Sequence, residues 1–127
     1  MIALLSNNII NVIHIQNLKS AQEIKNKKVH MFCVNNGVYN NDTKGNNRNL
    51  VLMDQLCVVT TDKTLVFFEF VGTSSFKFEE EKGQPDKGIP IAGGILPSQI
   101  LWDNDLIYLA TKKAYMILRK QDGSIVQ

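Results

Sequence analysis

The sequence contains few of the residues on which specialised chemistry depends. It has two histidines, two cysteines, one tryptophan and three prolines among 127 residues. Neither Cys33 nor Cys57 belongs to a CxxC pair or has the spacing of metal ligands, and both lie in apolar, strand-like runs. This pattern favours buried free thiols in a reducing compartment. The spacing also permits a disulfide between them.

The chain also lacks a strong charge of either sign, a long hydrophobic run and a targeting signal. Its net charge is +2, and no basic run is interleaved with aromatic residues, so neither nucleic acid nor an anionic membrane surface is expected as a direct partner. No run approaches the roughly 18 apolar residues of a membrane-spanning helix. The opening MIALLSNNII has no basic start and is interrupted by Asn7 and Asn8. These absences predict a cytosolic protein, in which the glycosylation sequon at 41–43 has no role.

No arrangement of residues typical of catalysis or metal binding occurs. His14 and His30 lie in separate strand patterns without a cluster of other ligands. The DND sequence at 103–105 lacks the later Gly and Glu of a calcium loop, and the GG pair at 93–94 lacks the Lys of a phosphate loop. The EEE run at 79–81 predicts a solvated loop. We therefore predict no enzyme, and no catalytic, cofactor-binding or metal-binding residue.

The strongest pattern that is present is an apolar hairpin, QLCVVTTDKTLVFFEF, from Gln55 to Phe70. Its β-branched and aromatic content favours strands, and Thr61 to Lys63 forms the predicted turn, to which Asp62 brings turn chemistry. The remaining composition, 44% hydrophobic and 20% charged, is that of one globular domain.

The hairpin pattern recurs. Fifty positions later the chain reads DLIYLATKKAYMILRK, and the opening MIALLSNNIINVIHI fits the same template with Ile10 and Val12 in equivalent places. The gapless alignment pairs Leu56 with Leu106, Val58 with Tyr108, Leu65 with Tyr115, and Phe67 with Ile117.

A hairpin that returns at this interval predicts a β-propeller, whose blades recur at about 40–50 residues. A single hairpin leaves its apolar face uncovered, whereas stacked blades bury these faces against each other. The fold class expected is all-β, a partial β-propeller of about two to three blades of antiparallel strands. An ordinary antiparallel sandwich with similar hairpins is the alternative.

Further strands are expected on both sides of the central hairpin. The residues from Asn35 to Asn49 predict a surface loop, and the prolines before Trp102 predict an extended segment outside any central ladder. The predicted strands are Ile2–Leu5 and Ile9–Ile15 around an Asn7-Asn8 turn, AQEI at 21–24, VHMFCV at 29–34, and SFKFEE at 75–80 with Phe76 and Phe78 on one face.

From Leu50 to Gly123 the sequence resembles part of the citron homology (CNH) domain in vesicle-tethering subunits of the HOPS and CORVET complexes. These include the Vam/Vps subunits and the TGF-β-receptor-associated protein. The resemblance rests on five features in order along the chain. They are the strand pair LCVVTTDKTLVFFEF, an acidic loop, the proline-containing segment GIPIAGGILPSQILW, the strand DNDLIYLAT and the final segment KKAYMILRKQDG. The stretch LLSNNIINVIHIQNL is similar to the preceding hairpin of that domain.

This resemblance implies a β-propeller that acts as a non-enzymatic protein-interaction platform. In the family it engages small GTPases of the Rab type and other tethering-complex subunits in the cytoplasm, at endosomal, vacuolar or lysosomal membranes reached through partners. The first alternative is a CNH domain piece of a signalling protein, a kinase or Rho exchange factor. The second is a small β-sandwich that binds a ligand.

A complete propeller of this kind needs roughly 250–350 residues at that blade period. Residues 1–127 are therefore expected to form an incomplete CNH-type domain, as a fragment, a truncated gene model or one part of a split propeller. Such a unit leaves apolar blade faces uncovered, so the isolated chain is expected to be poorly soluble, dimeric or dependent on a second chain. The side chains expected to face neighbouring blades are Leu65, Phe67, Leu106, Tyr115 and Ile117.

Overall fold

Short antiparallel strands make up most of the described chain. The computed structural model describes residues 2–13, 17, 19–25, 27–35, 55–71 and 77–126. The strands are β1 (Ile2–Ser6), β2 (Ile9–Ile13), β3 (Ser20–Ile24), β4 (Val29–Val34), β5 (Gln55–Thr60), β6 (Thr64–Val71), β7 (Lys77–Glu80), β8 (Ile89–Pro90), β9 (Gln99–Asp103), β10 (Leu106–Ala110) and β11 (Tyr115–Arg119), with a 3-10 turn at Ala92–Gly94. In these residues no helix has the length and apolar character needed to cross a membrane.

The strands form three antiparallel sheets. The first sheet has the order β1-β2-β3, the middle sheet β4-β5-β6-β7 with β8 also paired to β6, and the third sheet β9-β10-β11. Asn7 and Asn8 have φ values of 52° and 63°, which fits the two-residue turn predicted between β1 and β2. The turn between β5 and β6 has its positive φ, 65°, at Lys63. The predicted all-β class and both hairpins are confirmed.

The middle sheet is sandwiched between the other two. Alternation along β6 directs Leu65 and Phe67 to the third sheet and Val66 and Phe68 to the first. Both central strands, β5 and β6, are therefore buried on both faces, which is why they are apolar at consecutive positions. Each fully buried aliphatic or aromatic side chain stabilises the fold by about 1.5–3 kcal/mol.

The third-sheet hairpin is one residue shorter than the middle-sheet hairpin. Leu56 pairs with Phe68 in the middle sheet, whereas Ile107 pairs with Leu118 in the third. The second strands of the two hairpins, β6 and β11, therefore correspond at an interval of 50 residues. The first strands, β5 and β10, correspond at an interval of 51 residues. Because a shift of one residue reverses the face of every side chain in a strand, half of the gapless alignment is wrong. The pairs affected are Leu56 with Leu106 and Val58 with Tyr108.

The residues predicted to face neighbouring blades divide into two groups. Leu65 and Phe67 pack against the third sheet, as expected. Leu106, Tyr115 and Ile117 instead lie on the far side of the third sheet, where residues 2–126, as far as they are described, place no further sheet; Tyr115 is 87% exposed. The expectation of a blade against them is not met within this part of the chain.

Three segments differ from the sequence-based prediction. Ile89–Pro90, expected to lie outside any central ladder, pairs with the central strand β6. Asn35, expected to begin a loop, forms a parallel bridge with Trp102 that joins β4 to β9. The segment Gln99–Asp103, expected only as an approach to the last hairpin, is a full edge strand in which Trp102 pairs with Ile107. The strands predicted at 21–24 and 29–34 are confirmed, as is Lys77–Glu80, the described part of the strand predicted at 75–80. Predictions for Phe76, for residues 14–15 and for the loop beyond Asn35 lie outside the described residues.

Candidate functional site

Lys120 lies at the boundary of the middle and third sheets. Its Nζ atom is 2.8 Å from Oε2 of Glu81, and it lies 5.2 Å from the ring centroid of Phe67 and 5.4 Å from that of Trp102. The two rings meet edge to face with their centroids 5.1 Å apart. The side chains of Lys120 and Glu81 are only 26% and 17% exposed, so water screens this pair less than an open surface pair. A carboxylate and two aromatic faces thus hold one ammonium group.

Two strand ends bring this ion pair together. Lys120 follows β11, and its backbone N–H donates to the carbonyl of Asp105 at 2.9 Å. Glu81 follows β7, and its N–H donates to the carbonyl of Phe67, also at 2.9 Å. Each partner is therefore fixed by its own sheet, so the ion pair connects the middle sheet to the third.

Two glutamine side chains substitute for missing strand partners. The amide of Gln84 accepts a hydrogen bond from the N–H of Phe67 at 2.9 Å and donates to its carbonyl at 2.8 Å. Gln22 on β3 makes the same pair of bonds with Phe78 on β7, both at 2.8 Å, and so joins the first sheet to the middle one. Backbone groups at the edges of β6 and β7 are satisfied in this way.

A chain of polar side chains runs from Glu81 to the turn after β9. Gln55 donates to Glu81 at 3.4 Å, and Asn35 donates to Gln55 at 2.8 Å. Asn35 also accepts from the backbone N–H of Asn104 at 2.9 Å, while the indole N–H of Trp102 donates to the carbonyl of Asn104 at 2.7 Å. The network links β4, β5 and β9 at one end of the stack.

An open cavity of about 620 Å³ lies beside the Lys120–Glu81 pair. Its walls carry charges of both signs, from Asp105 and Arg119 as well as from the ion pair. Across the described ranges, no group of three or more His, Cys, Asp or Glu side chains is placed to hold a metal ion. The groups present are suited to hydrogen bonds and ion pairs.

The two cysteines face each other across the pairing of β4 and β5. Cys33 and Cys57 are free thiols at directly opposed positions, the former half-buried and the latter fully buried. Burial raises the pKa of the Cys57 thiol well above its ordinary value, and a hydrogen bond with Cys33 raises it further. Of the two possibilities that the sequence left open, the structure contains the free thiols.

The other candidate residues are separated from one another. His30 is exposed, and its Nε2 atom lies 3.1 Å from the carbonyl oxygen of Pro97. The glycines at 93–94 belong to an exposed 3-10 turn, and Asn104, with φ of 54°, lies in the turn between β9 and β10. His14 and the sequon at 41–43 lie outside the described residues. The structure does not bring these candidates into one site.

An apolar surface covers the far side of the third sheet. The register of β9, β10 and β11 places alternate residues of the three strands side by side there. Leu101 is 49% exposed and Tyr115 87% exposed, so this face is accessible to a partner. We define the outer face of the third sheet as Leu101, Leu106, Tyr108, Tyr115 and Ile117, with the charged Asp103 and Arg119 on either side of Leu106.

Sequence reasoning missed the residues that join the sheets. It placed Glu81 in a solvated loop, and it assigned no contact between sheets to Lys120, Gln84 or Asn35. Glu81 is instead a largely buried member of an ion pair, so the solvated-loop prediction is wrong for this residue. No local pattern distinguishes it from Glu79 or Glu80, because its partner is distant in sequence.

In a comparison with known proteins, no family model, curated protein or solved structure matches this chain. The CNH resemblance stays a prediction.

Proposed function

We propose that the chain forms part of a β-propeller of the CNH type and acts as a non-enzymatic platform for protein partners. The observation that carries this proposal is the stack of three antiparallel sheets, with the middle sheet covered on both faces. A two-sheet sandwich covers each sheet on one face only, whereas every blade of a propeller packs between two others. The order of the hairpins β1-β2, β5-β6 and β10-β11 along the stack supports the same arrangement.

The partner class follows from the resemblance. We propose that the platform engages a small GTPase of the Rab type, together with other subunits of a vesicle-tethering complex. Its place in the cell would then be the cytoplasmic side of endosomal or vacuolar membranes, reached through these partners. The stacked sheets support a rigid scaffold whose loops are free for such contacts.

A binding experiment with immobilised GTPases tests this proposal. The purified chain is passed over a panel of Rab-type GTPases loaded with a non-hydrolysable GTP analogue or with GDP. We expect saturable binding to at least one GTP-analogue form, and binding at least about ten-fold weaker to the same GTPase with GDP, a difference of 1.4 kcal/mol.

Rho-type GTPases in the same panel form the control. Binding to none of the Rab-type proteins would contradict the proposal, as would binding that ignores the nucleotide. Selective binding to a Rho-type protein would favour the signalling alternative.

A further inference from the structure

Every packed sheet in the stack meets its neighbour through the same pair of faces. We define the leading face of a sheet as the face toward the next sheet in chain order, and the trailing face as the opposite one. The leading face of the first sheet, with Ile10 and Val12, packs on the trailing face of the middle sheet. The leading face of the middle sheet, with Leu65 and Phe67, packs on the trailing face of the third.

Two faces of the stack have no sheet on them in the described ranges. One is the leading face of the third sheet, which is the outer face defined above. Tyr115 and Ile117 on β11 occupy the positions that Leu65 and Phe67 occupy on β6, yet Tyr115 is 87% exposed and Leu65 is fully buried. The third sheet thus repeats an interface surface and leaves it open.

The other open face is the trailing face of the first sheet. The register of β1, β2 and β3 places three apolar side chains there, Leu4, Ile9 and Ile13, together with the polar or charged Ser6, Asn11, Ser20 and Glu23. Leu4 is 52% exposed, whereas the trailing faces of the middle and third sheets are buried. Its apolar part, Leu4, Ile9 and Ile13, is the surface available to cover a leading face.

We propose that two copies of this chain stack head to tail, with the leading face of each third sheet covered by the trailing face of the partner's first sheet. The two faces lie at opposite ends of one stack, so a single copy does not join them. Both faces contain apolar side chains, but charge does not select the pairing, because Arg119 has Asp103 on the same face and Glu23 lies 3.8 Å from Lys25. The pairing of faces rests on Tyr115 and Ile117, which repeat the positions of Leu65 and Phe67. A leading face and a trailing face on one surface are the requirement for a heterologous contact between identical chains.

The assembly closes as a ring of two copies. Two three-sheet stacks give a ring of six sheets, which lies within the four to eight blades typical of propellers. Closure uses both open faces of both copies and so ends growth at the dimer. The inference rests on the stacked sheets and does not require the GTPase interaction, so the two proposals can fail separately.

The test is the mass of the assembly, measured by analytical ultracentrifugation over a concentration series. The wild-type chain is expected to sediment at twice its 14.3 kDa mass. Tyr115→Asp places a charge in the leading face and Leu4→Asp places one in the trailing face. Each is expected to weaken dimerisation by about ten-fold or more, because an unpaired charge would be buried at the contact. Lys87→Ser, at an exposed site on neither face, is the matched control and stays dimeric.

Mixing the two variants distinguishes this arrangement from a symmetric one. A mixed ring contains one contact with both charges and one with neither, so the mixture associates more strongly than either variant alone. In a dimer built from two third sheets, Leu4→Asp would have no effect. The proposal would be overturned by a wild-type chain that is monomeric at every concentration, or by growth into open filaments. It would also be overturned if either face variant dimerised as strongly as the wild type. Binding of the GTPase to the leading face of a monomeric chain would also overturn the proposal.

Hydrogen exchange of the wild type removes any dependence on variant folding. Raising the concentration is expected to slow exchange in the strands of the two open faces, β1, β2, β10 and β11. Exchange in β5 and β6, which requires opening of the whole stack, slows as well, because dimerisation stabilises the folded chain by mass action. If the exchange rates of the open-face strands do not change with protein concentration, the ring is contradicted.

Discussion

At the scale of the residue, Lys120 shows how a charge is accommodated between two sheets. Its ammonium group has a carboxylate at 2.8 Å and two aromatic rings within 5.4 Å. Glu81 is the more enclosed partner, and apart from Lys120 it has the amide of Gln55 at 3.4 Å. Removing the ammonium group would leave this carboxylate poorly solvated, which costs more than the net value of the ion pair.

We therefore expect Lys120→Met to lower the free energy of unfolding by about 1–3 kcal/mol. Urea titration followed by tryptophan fluorescence measures this, since Trp102 is next to the site. The double variant Lys120→Met/Glu81→Gln should recover part of the loss, because no buried carboxylate remains. Lys113→Met, an exposed lysine, should change stability by less than about 0.5 kcal/mol. If Lys120→Met and the control Lys113→Met lowered the free energy of unfolding equally, the role given to the ion pair would be contradicted.

Cys57 makes the stability of the fold sensitive to alkaline pH. Its folded-state pKa lies above the ordinary value of 9.0, so the folded chain holds the thiol proton more tightly than the unfolded chain does. The stabilisation is complete below about pH 9 and is lost as the pH rises toward the folded-state pKa. The slope contributed is at most about 1.4 kcal/mol per pH unit.

Unfolding titrations between pH 8 and pH 11, taken as rough limits around the ordinary thiol pKa, measure this slope. The variant Cys57→Ala should lose stability less steeply with pH than the wild type over that window. Parallel curves for the two proteins would show that the thiol does not contribute.

At the scale of the element, hairpin length decides which side chains become core. The sequence predicted strands β5, β6, β10 and β11 because their apolar runs and turn residues are local signals. The face of each residue depends on which residues pair across the turn, and this differs by one position between the two hairpins. A gapless comparison of sequences cannot detect that difference, so it placed Leu106 and Tyr108 on the wrong face.

Leu65 and Tyr115 occupy equivalent positions in the repeat but differ in burial. We expect Leu65→Ala to destabilise the chain by about 2–5 kcal/mol, since it opens a cavity in a closed core. Tyr115→Ala should change stability by less than about 0.5 kcal/mol when measured at concentrations at which the chain is monomeric. Chemical denaturation of both variants checks this. A large loss for Tyr115→Ala in the monomer would show that the outer face of the third sheet is covered within the chain.

At the scale of the whole molecule, the middle sheet belongs to two cores. Its side chains contact the first sheet on one face and the third sheet on the other. Loss of either outer sheet would expose one complete face of the middle sheet to water. The three sheets are therefore expected to unfold as one cooperative unit.

Native-state hydrogen exchange tests this cooperativity. The amides of β5 and β6 should exchange most slowly, because they lie between two sheets. Ile10→Ala in one core and Leu109→Ala in the other should each lower the free energy of opening of these amides by about 2–5 kcal/mol. Ile125→Ala, at a half-exposed side chain, is the control. If Ile10→Ala affects only β1, β2 and β3, the sheets are separate units.

The sequence by itself determined the all-β class, the hairpins and their turns. These features follow from side-chain alternation and from turn residues such as Asn7 and Asn8, which act over a few positions. Only the tertiary structure decided which faces became cores, the pairing of Lys120 with Glu81, and the use of Gln84 and Gln22 as strand partners. Each of these depends on residues that are far apart in the chain, and one residue in a turn reverses a whole strand face.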